Sequence, residues 1–97
     1  MASGYWVMTF RSISNPDGFE KYVAAATPVI QAKGGRVLAA GLPDFNYEAG
    51  LSQNVAIVEF DNLQTADAAY RSPEYQAAVR YLVGAAERDV RIIEGRT

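Results

Sequence analysis

The carboxylate of Glu59 is the side chain of this sequence best suited to proton transfer. It lies in the segment Val55–Phe60, and all the remaining residues of this segment are apolar. Apolar surroundings disfavour the charged form of a carboxylate and raise its pKa, which brings the group into the range of a general base. We therefore predict Glu59 as a catalytic base. The structural alternative is an ion pair with Arg11 or Arg36.

One arginine and four tyrosines are candidates for binding a ligand. The planar guanidinium of arginine holds carboxylates and phosphates, and a tyrosine offers a hydroxyl together with a ring that can stack. The alternatives are an ion pair across the sheet for the arginine, and core positions with a solvated hydroxyl for the tyrosines. The predicted ligand-binding residues are Tyr5, Arg36, Tyr47, Tyr70 and Tyr75.

Two residue types that carry much of enzyme chemistry are missing from the sequence. It contains no cysteine and no histidine. Thiolate nucleophiles, iron–sulfur clusters, histidine-ligated haem and serine–histidine triads are therefore excluded. Only oxygen ligands remain for a metal ion, and the acidic residues are scattered along the chain. We expect no metal site and no cofactor.

The composition also argues against two classes of binding partner, nucleic acids and membranes. Nine basic and eleven acidic residues among 97 give a net charge of −2, whereas nucleic-acid binding needs a clustered basic surface. No segment approaches the ~20 apolar residues of a membrane span, and the N-terminus lacks a signal-peptide pattern. We expect one domain over residues 1–97, located in the cytoplasm, with neither a nucleic-acid nor a membrane partner.

Helix starts and strand segments alternate along the chain. Asn15-Pro16-Asp17 and Ser72-Pro73-Glu74 each combine a capping side chain, a proline suited to the first turn and an acid that complements the helix dipole. Asp61 with Gln64 fits a capping box, and Asn62 is the alternative cap. The predicted strands are Tyr5–Arg11, Arg36–Gly41, Asn54–Phe60 and Val90–Glu94, and the predicted helices run from Pro16 to Gly34-Gly35, from Asn62 to Tyr70 and from Pro73 to Gly84.

The loop Leu42–Gln53 is longer than an ordinary hairpin connection. Its twelve residues include Phe45, Tyr47 and Leu51, which argues against full disorder. Loops of this length are often functional. The loop is either a lid over a pocket or an arm that packs on a second subunit, and the sequence does not decide between the two.

The element order β-α-β-β-α-β predicts an α+β fold of the ferredoxin-like type, with a four-stranded antiparallel sheet. Alternate strand residues lie on opposite faces of that sheet. The face predicted to meet the helices contains Trp6, Met8, Phe10, Ala56, Val58, Phe60, Val90 and Ile92. The open face contains Tyr5, Val7, Thr9, Arg11, Val55, Ile57, Glu59, Arg91 and Ile93, with Arg36, Leu38 and Ala40 if the second strand keeps its phase.

The open face is too apolar for a surface in water and too polar for an ordinary core. Contiguous apolar patches of this kind mark interfaces or ligand sites, and buried polar groups need partners. We therefore predict a homodimer that encloses a partly polar cavity. The alternative is an antiparallel sheet covered by solvent.

Several segments resemble the family called domain of unknown function 1330 (DUF1330). They are Gly4-Tyr5-Trp6, Tyr22 to Ile30 leading to Gly34-Gly35-Arg36, Val58-Glu59-Phe60, Tyr70 to Gln76, and Ile93-Glu94-Gly95. The resemblance implies a dimeric α/β-barrel in which ferredoxin-like subunits pair sheet to sheet, and it implies no established activity. The family commonly has a basic residue before the third strand, where this sequence has Asn54.

The wider superfamily includes cofactor-independent monooxygenases, lactone isomerases and haem enzymes, and those that depend on histidine cannot be guides for this chain. The leading hypothesis is a cofactor-independent enzyme that acts on a small organic molecule, with Glu59 as base and tyrosines that position the substrate. The alternatives are a non-catalytic small-molecule binding module, such as a stress-related accessory protein, and a purely structural dimer.

Overall fold

Strands and helices follow one another in the predicted order. The computed structural model describes residues 2–97. Its elements are β1 (Gly4–Ile13), α1 (Pro16–Ala32), β2 (Arg36–Gly41), β3 (Val55–Phe60), α2 (Leu63–Arg71), α3 (Pro73–Val79), a single 3₁₀ turn (Arg80–Leu82) and β4 (Ala86–Glu94).

Side-chain caps fix the helix starts, two of them as predicted. The Asn15 side chain accepts hydrogen bonds from the first free amides of α1, and Ser72 accepts one from the Tyr75 amide of α3. The cap of α2 is Asn62, which accepts from the Thr65 amide at 2.8 Å. The capping box of Asp61 is therefore wrong, because the Asp61 carboxylate bonds to Arg36 instead.

The sheet has the strand order β2-β3-β1-β4, and neighbouring strands are antiparallel. This is the ferredoxin-like arrangement. Along β1, every second residue from Gly4 to Phe10 is buried, as expected when one face of a sheet meets helices. The Cα atoms span only 15 Å along the shortest axis, consistent with two layers.

The second strand does not keep its phase. A bulge between Val37 and Ala39 inserts Leu38 as an extra residue. Ala39 therefore lies opposite Ile57 on the open face. Ala40, which was expected there, lies opposite Ala56 on the helix-facing side. The prediction for Ala40 is wrong because a one-residue insertion reverses the parity of every residue that follows.

The core lies between the sheet and the helices, and an aromatic cluster fills its centre. Trp6 is fully buried, as predicted, and its indole nitrogen donates to the Ala66 carbonyl at 2.8 Å. Its ring lies 4.9 Å from that of Phe60 and 4.7 Å from that of Tyr75, measured between centroids. These contacts join β1, β3, α2 and α3 in one packed unit.

The last strand starts earlier than predicted, at Ala86 instead of Val90. Residues 86–89 pair with β1 from Ile13 to Thr9, past a second bulge at Arg11. The four added residues bring Arg88 opposite Phe10, which belongs to the buried core.

Candidate functional site

Three predicted site residues meet on the open face of the sheet. The Tyr5 hydroxyl donates to one Glu59 carboxylate oxygen at 3.1 Å, and Arg36 Nε donates to the other at 3.2 Å. The same guanidinium reaches the Asp61 carboxylate at 3.2 Å. Arg11 pairs with Asp89 at 2.8 Å, so the structural alternative for Glu59 is the ion pair with Arg36. We call Tyr5, Arg36, Glu59 and Asp61 the open-face cluster.

The surroundings of Glu59 differ from the expectation. Hydrogen bonds from Tyr5, Arg36 and Ser3, in that order of weight, hold the pKa of the Glu59 carboxyl below its ordinary value. The side chain is also 24 % exposed, so desolvation is weak. The predicted rise of the pKa is therefore wrong for this structure, because donors surround the carboxylate. A catalytic role for Glu59 stays a prediction.

The predicted tyrosines separate into three places. Tyr5 belongs to the open-face cluster, while Tyr70 and Tyr75 lie on the helix side of the sheet, with ring centroids 5.6 Å apart. Tyr47 lies in the loop between β2 and β3, and its side chain is 77 % exposed, as is that of Phe45. Ligand contact for these tyrosines, and the choice between lid and dimer arm for the loop, remain predictions.

Arg88 is the residue that the sequence reading missed. Its Nη1 atom donates to the hydroxyl oxygens of Tyr22 at 3.0 Å and Tyr75 at 3.1 Å, and it lies 3.1 Å from Met8 Sδ. The guanidinium carbon also lies 5.0 to 5.9 Å from the ring centroids of Phe10, Tyr22 and Tyr75. Aromatic faces thus hold a cation inside the protein. We call Arg88, Tyr22 and Tyr75 the arginine–tyrosine cluster.

The charge of Arg88 has no carboxylate partner. Among residues 2–97, no ion pair includes Arg88, and its Nη2 atom is buried without a hydrogen-bond acceptor. A buried donor left unpaired costs about 1–3 kcal/mol, and more when charged. An acceptor supplied by a ligand would remove that cost.

The two tyrosines add a further donor. Their hydroxyl oxygens are in direct hydrogen-bond contact, so one of the two hydroxyl protons lies between them. Both oxygens also accept from Arg88, which leaves the second proton free for another acceptor. Burial, followed by the charge interaction with Tyr22, raises the pKa of Tyr75. Tyr75 therefore keeps its hydroxyl proton at neutral pH.

A pocket of about 380 Å³ adjoins the arginine–tyrosine cluster. It lies between β4 and the helical segment from α2 to the 3₁₀ turn. Arg88 is the charged residue of its lining, and Tyr70 is the other polar one. The remaining lining residues are apolar: Val79, Leu82, Val83, Ala86 and Val90. The lining thus combines one cation and one tyrosine with apolar side chains, a combination found in small-molecule sites.

A periodicity signal for Arg88 was present in the sequence. Val90 and Ile92 were correctly placed on the helix-facing side, and Arg88 has the same parity two residues earlier. The run Glu87-Arg88-Asp89 hid this pattern because three consecutive charged residues suggest a solvated turn. Extending the strand by one period would have placed an arginine in the core.

Comparison with known proteins agrees with this architecture. Residues 3–96 match the family model described as "Domain of unknown function (DUF1330)", and the chain belongs to this family. A search of curated proteins found no match.

Three solved structures illustrate the shared fold. A protein of unknown function from Rhodopseudomonas palustris is 17 % identical, with a TM-score of 0.72 over 99 % of this chain and 84 % of that one. A dimeric ferredoxin-like protein of unknown function from Thermobifida fusca is 18 % identical, with a TM-score of 0.65 over 95 % and 90 %. SnoaB, a cofactor-independent oxygenase from Streptomyces nogalater, is 14 % identical, with a TM-score of 0.71 over 100 % and 96 %.

Residues 2–97 contain neither an evident metal site nor a membrane-spanning helix. No group of three or more acidic residues is placed to hold a metal ion. Within the same residues, no helix has the length and apolar character required to cross a membrane.

Proposed function

We propose that the protein binds a small organic anion at the arginine–tyrosine cluster. The observation that carries the proposal is the guanidinium of Arg88, which is held inside the protein without a carboxylate and with Nη2 unpaired. Among buried polar groups in native proteins, such an orphan calls for a functional explanation. A carboxylate, phenolate or enolate oxygen is the partner that matches a guanidinium and a tyrosine donor.

The Arg88 guanidinium and the tyrosine hydroxyls would also favour deprotonation of an ionisable ligand. A cation within a few Å lowers the pKa of a bound phenol or enol, because it stabilises the anion that forms when the proton leaves to solvent. An electron-rich anion is also the form in which an organic molecule is most easily oxidised. The fold shared with the cofactor-independent oxygenase SnoaB makes such an enzyme the first catalytic candidate, with no cofactor of its own.

A homodimer formed through the open face is part of the proposal. That face has half-buried Val7 and Ile57 at its centre and Ile93 more exposed beside them. A second copy would cover them, and the similar protein from Thermobifida fusca is dimeric. The protein would then act as a single domain over residues 1–97 in the cytoplasm, without nucleic-acid or membrane partners.

A second candidate site is the open-face cluster, as predicted from the sequence. In a dimer its desolvation would increase, and Glu59 could then act as a base on a ligand held by Tyr5 and Arg36 at the seam. β3 places Glu59 on the opposite face from buried Val58 and Phe60. Glu59 therefore cannot reach a ligand at Arg88 of the same subunit, and the two sites are separate hypotheses.

The test uses benzoate as the anion and benzyl alcohol as its neutral counterpart, each titrated into labelled protein and followed by NMR. We expect benzoate to shift the Arg88 guanidinium signal and benzyl alcohol to bind at least tenfold more weakly. Arg88→Met should lower benzoate affinity by about 10- to 100-fold, the range for hydrogen bonds to a charged group. Arg96→Met is the matched control, because Arg96 is exposed, follows the end of β4 and does not line the pocket.

The catalytic extension has its own measurement. The apparent pKa of 4-nitrophenol, read from the absorbance of its phenolate, should fall in the presence of wild-type protein and of Arg96→Met, and stay unchanged with Arg88→Met. Equal binding of benzoate and benzyl alcohol, or benzoate binding that survives Arg88→Met, would contradict the anion site.

A further inference from the structure

A second cavity, distinct from the Arg88 pocket, lies beneath α1. Its volume is about 110 Å³, and it separates the helix from the β1, β2 and β3 part of the sheet. Ala26 and Ile30 line it from α1, and Met8, Ala40 and Val58 line it from the strands. Cavities of this order, about 150 Å³ in one engineered case, bind benzene or xenon when their walls are apolar.

Most polar groups of the wall are bonded to atoms outside the cavity. The Thr27 hydroxyl donates to the Val23 carbonyl at 2.7 Å, and the Tyr22 hydroxyl is bonded to Tyr75 and Arg88. The Asn54 carbonyl accepts the Phe10 amide at 2.8 Å. A buried water needs two to four polar partners, and these engaged groups offer few. The cavity is therefore better suited to an apolar occupant than to water.

An entrance is present between α1 and the edge strand. Val23 on the helix and Val37 on β2 both line the cavity, and they are 43 % and 45 % exposed. Two half-exposed valines that flank an opening form an apolar mouth, which admits uncharged molecules and disfavours ions. The bulge at Leu38 puts Ala40 on this face, so the departure from the expected strand phase helps form the wall.

We propose that this cavity binds one small, neutral, apolar molecule, in the size range from dioxygen to a short hydrocarbon. Met8 and Tyr22 line this cavity and contact Arg88, which lines the anion pocket, so the two compartments are connected through directly touching side chains. The protein would thus hold an apolar molecule beside an organic anion. The apolar site goes beyond the proposed anion site and does not depend on it.

Xenon is the probe that tests the apolar site, because it is neutral and has no hydrogen-bonding capacity. Methyl NMR spectra of the full chain are recorded under xenon pressure, with nitrogen at the same pressure as reference. We expect saturable shifts confined to the methyl groups that line the cavity, among them those of Met8, Ala26, Ile30 and Val58. Small, unsaturable shifts spread over the surface, or magnetisation transfer from water to these methyl groups, would overturn the proposal.

Leucine substitutions at three alanines sharpen the assignment. Ala40→Leu projects a larger side chain into the cavity from an exposed strand position, and it should weaken xenon binding at least tenfold. Ala24→Leu adds the same atoms on the exposed side of α1 and should leave binding unchanged. Ala56→Leu fills the cavity from β3 and repeats the test if Ala40→Leu does not fold. Xenon shifts that persist in a folded filling variant would place the binding elsewhere. These experiments use no anion and no Arg88 variant. Their result therefore does not depend on whether the proposed anion site is correct.

Discussion

The two faces of the sheet each hold an arginine beside tyrosine hydroxyls, but their electrostatics are opposite. On the open face, Arg36 faces two carboxylates, Glu59 and Asp61, so one cation meets two anions and the cluster keeps an excess of negative charge. On the helix side, Arg88 faces two neutral hydroxyls and three aromatic rings. The first arrangement pairs its cation with anions of the protein, while the cation of the second has no carboxylate partner among residues 2–97.

Burial makes this difference larger. Arg36 is half exposed, and ion pairs that water reaches contribute about 0–1 kcal/mol. Arg88 is mostly enclosed, and its Nη2 atom is shielded from water. Coulomb interactions are stronger in the less polar interior, so an anion that reaches Arg88 gains more than one that reaches Arg36. The unpaired charge of Arg88 therefore makes a better anion-binding site than the open-face cluster, in which the arginine is already paired with carboxylates.

Disrupting the open face should have the largest effect. Ile57 pairs with Val7 and Ala39 at the centre of this face. Ile57→Arg would place equal charges close together across a sheet-to-sheet dimer, so we expect native mass spectrometry at micromolar concentration to show monomers. Ala24→Arg, on the exposed side of α1, is the control and should leave dimers intact. Wild-type protein that is already monomeric would refute the shared-face assembly.

The same variant also separates the two faces. If the arginine–tyrosine cluster works within one subunit, a folded Ile57→Arg monomer keeps its benzoate affinity within about threefold. Loss of benzoate binding in the monomer would show instead that the two faces cooperate and that the contrast between them is not a division of roles.

Removing the unpaired cation should change stability in an unusual direction. Arg88→Met replaces a buried charge by an apolar side chain, and the Tyr22 and Tyr75 hydroxyls keep each other as partners. Exchange of a buried ion pair for apolar groups is often neutral or stabilising by about 1–4 kcal/mol, and within the described part of the chain Arg88 has no carboxylate partner whose attraction would be lost. We expect the free energy of unfolding, measured with urea, to stay equal or to rise while benzoate binding falls. A marked loss of stability would assign Arg88 a structural role.

Tyr75→Phe should have an intermediate effect. It removes one hydroxyl and leaves Tyr22 as the remaining tyrosine acceptor for Arg88 Nη1. The Tyr75 hydroxyl bonds to both Tyr22 and Arg88, and the loss of these two buried hydrogen bonds lowers the free energy of unfolding by about 1–3 kcal/mol. Benzoate binding should weaken less than in Arg88→Met. Tyr70→Phe is the matched control, since Tyr70 lines the pocket without a bond to Arg88. Equal effects of the two variants would argue against the Tyr75 hydroxyl as a donor.

Local signals account for the parts that the sequence predicted well. The caps at Asn15 and Ser72 act on amides two or three residues away, so they are visible in a short window. The bounds of β2 were also predicted correctly, but its bulge at Leu38 was not, because strand pairing and not composition decides where an extra residue is accommodated. That single residue reassigned Ala40 to the opposite face.

The site itself depends on contacts that no local pattern contains. Arg88 bonds to Tyr22, 66 residues away in sequence, and to Tyr75, 13 residues away. The prediction that Glu59 has a raised pKa considered its apolar neighbours along the strand. It did not include Tyr5 and Arg36, which reach Glu59 across β1 and β2. Cross-strand partners, not sequence neighbours, determined the charge state.

The smallest expected effect concerns the acid stability of the open-face cluster. The pKa of Glu59 in the folded protein lies below the ordinary 4.5, because Tyr5 first and then Arg36 stabilise the carboxylate. A group with a depressed pKa contributes stability above its unfolded pKa, and this contribution is lost as the pH falls through the folded value. Unfolding of the wild type should therefore become easier below about pH 4.5, and Glu59→Gln should flatten part of this decline.

Urea unfolding between pH 3 and pH 7 measures this difference, with Glu20→Gln as the control for loss of one negative charge from an exposed position on α1. At neutral pH, Glu59→Gln should be slightly less stable than the wild type, and the two should converge in acid. If the variant instead becomes the more stable protein at neutral pH, the pKa of Glu59 is raised, as predicted from the sequence. That result would favour the dimer seam as the catalytic site. Two donors hold the Glu59 carboxylate in its charged form within one subunit, so only desolvation by a second copy could raise its pKa.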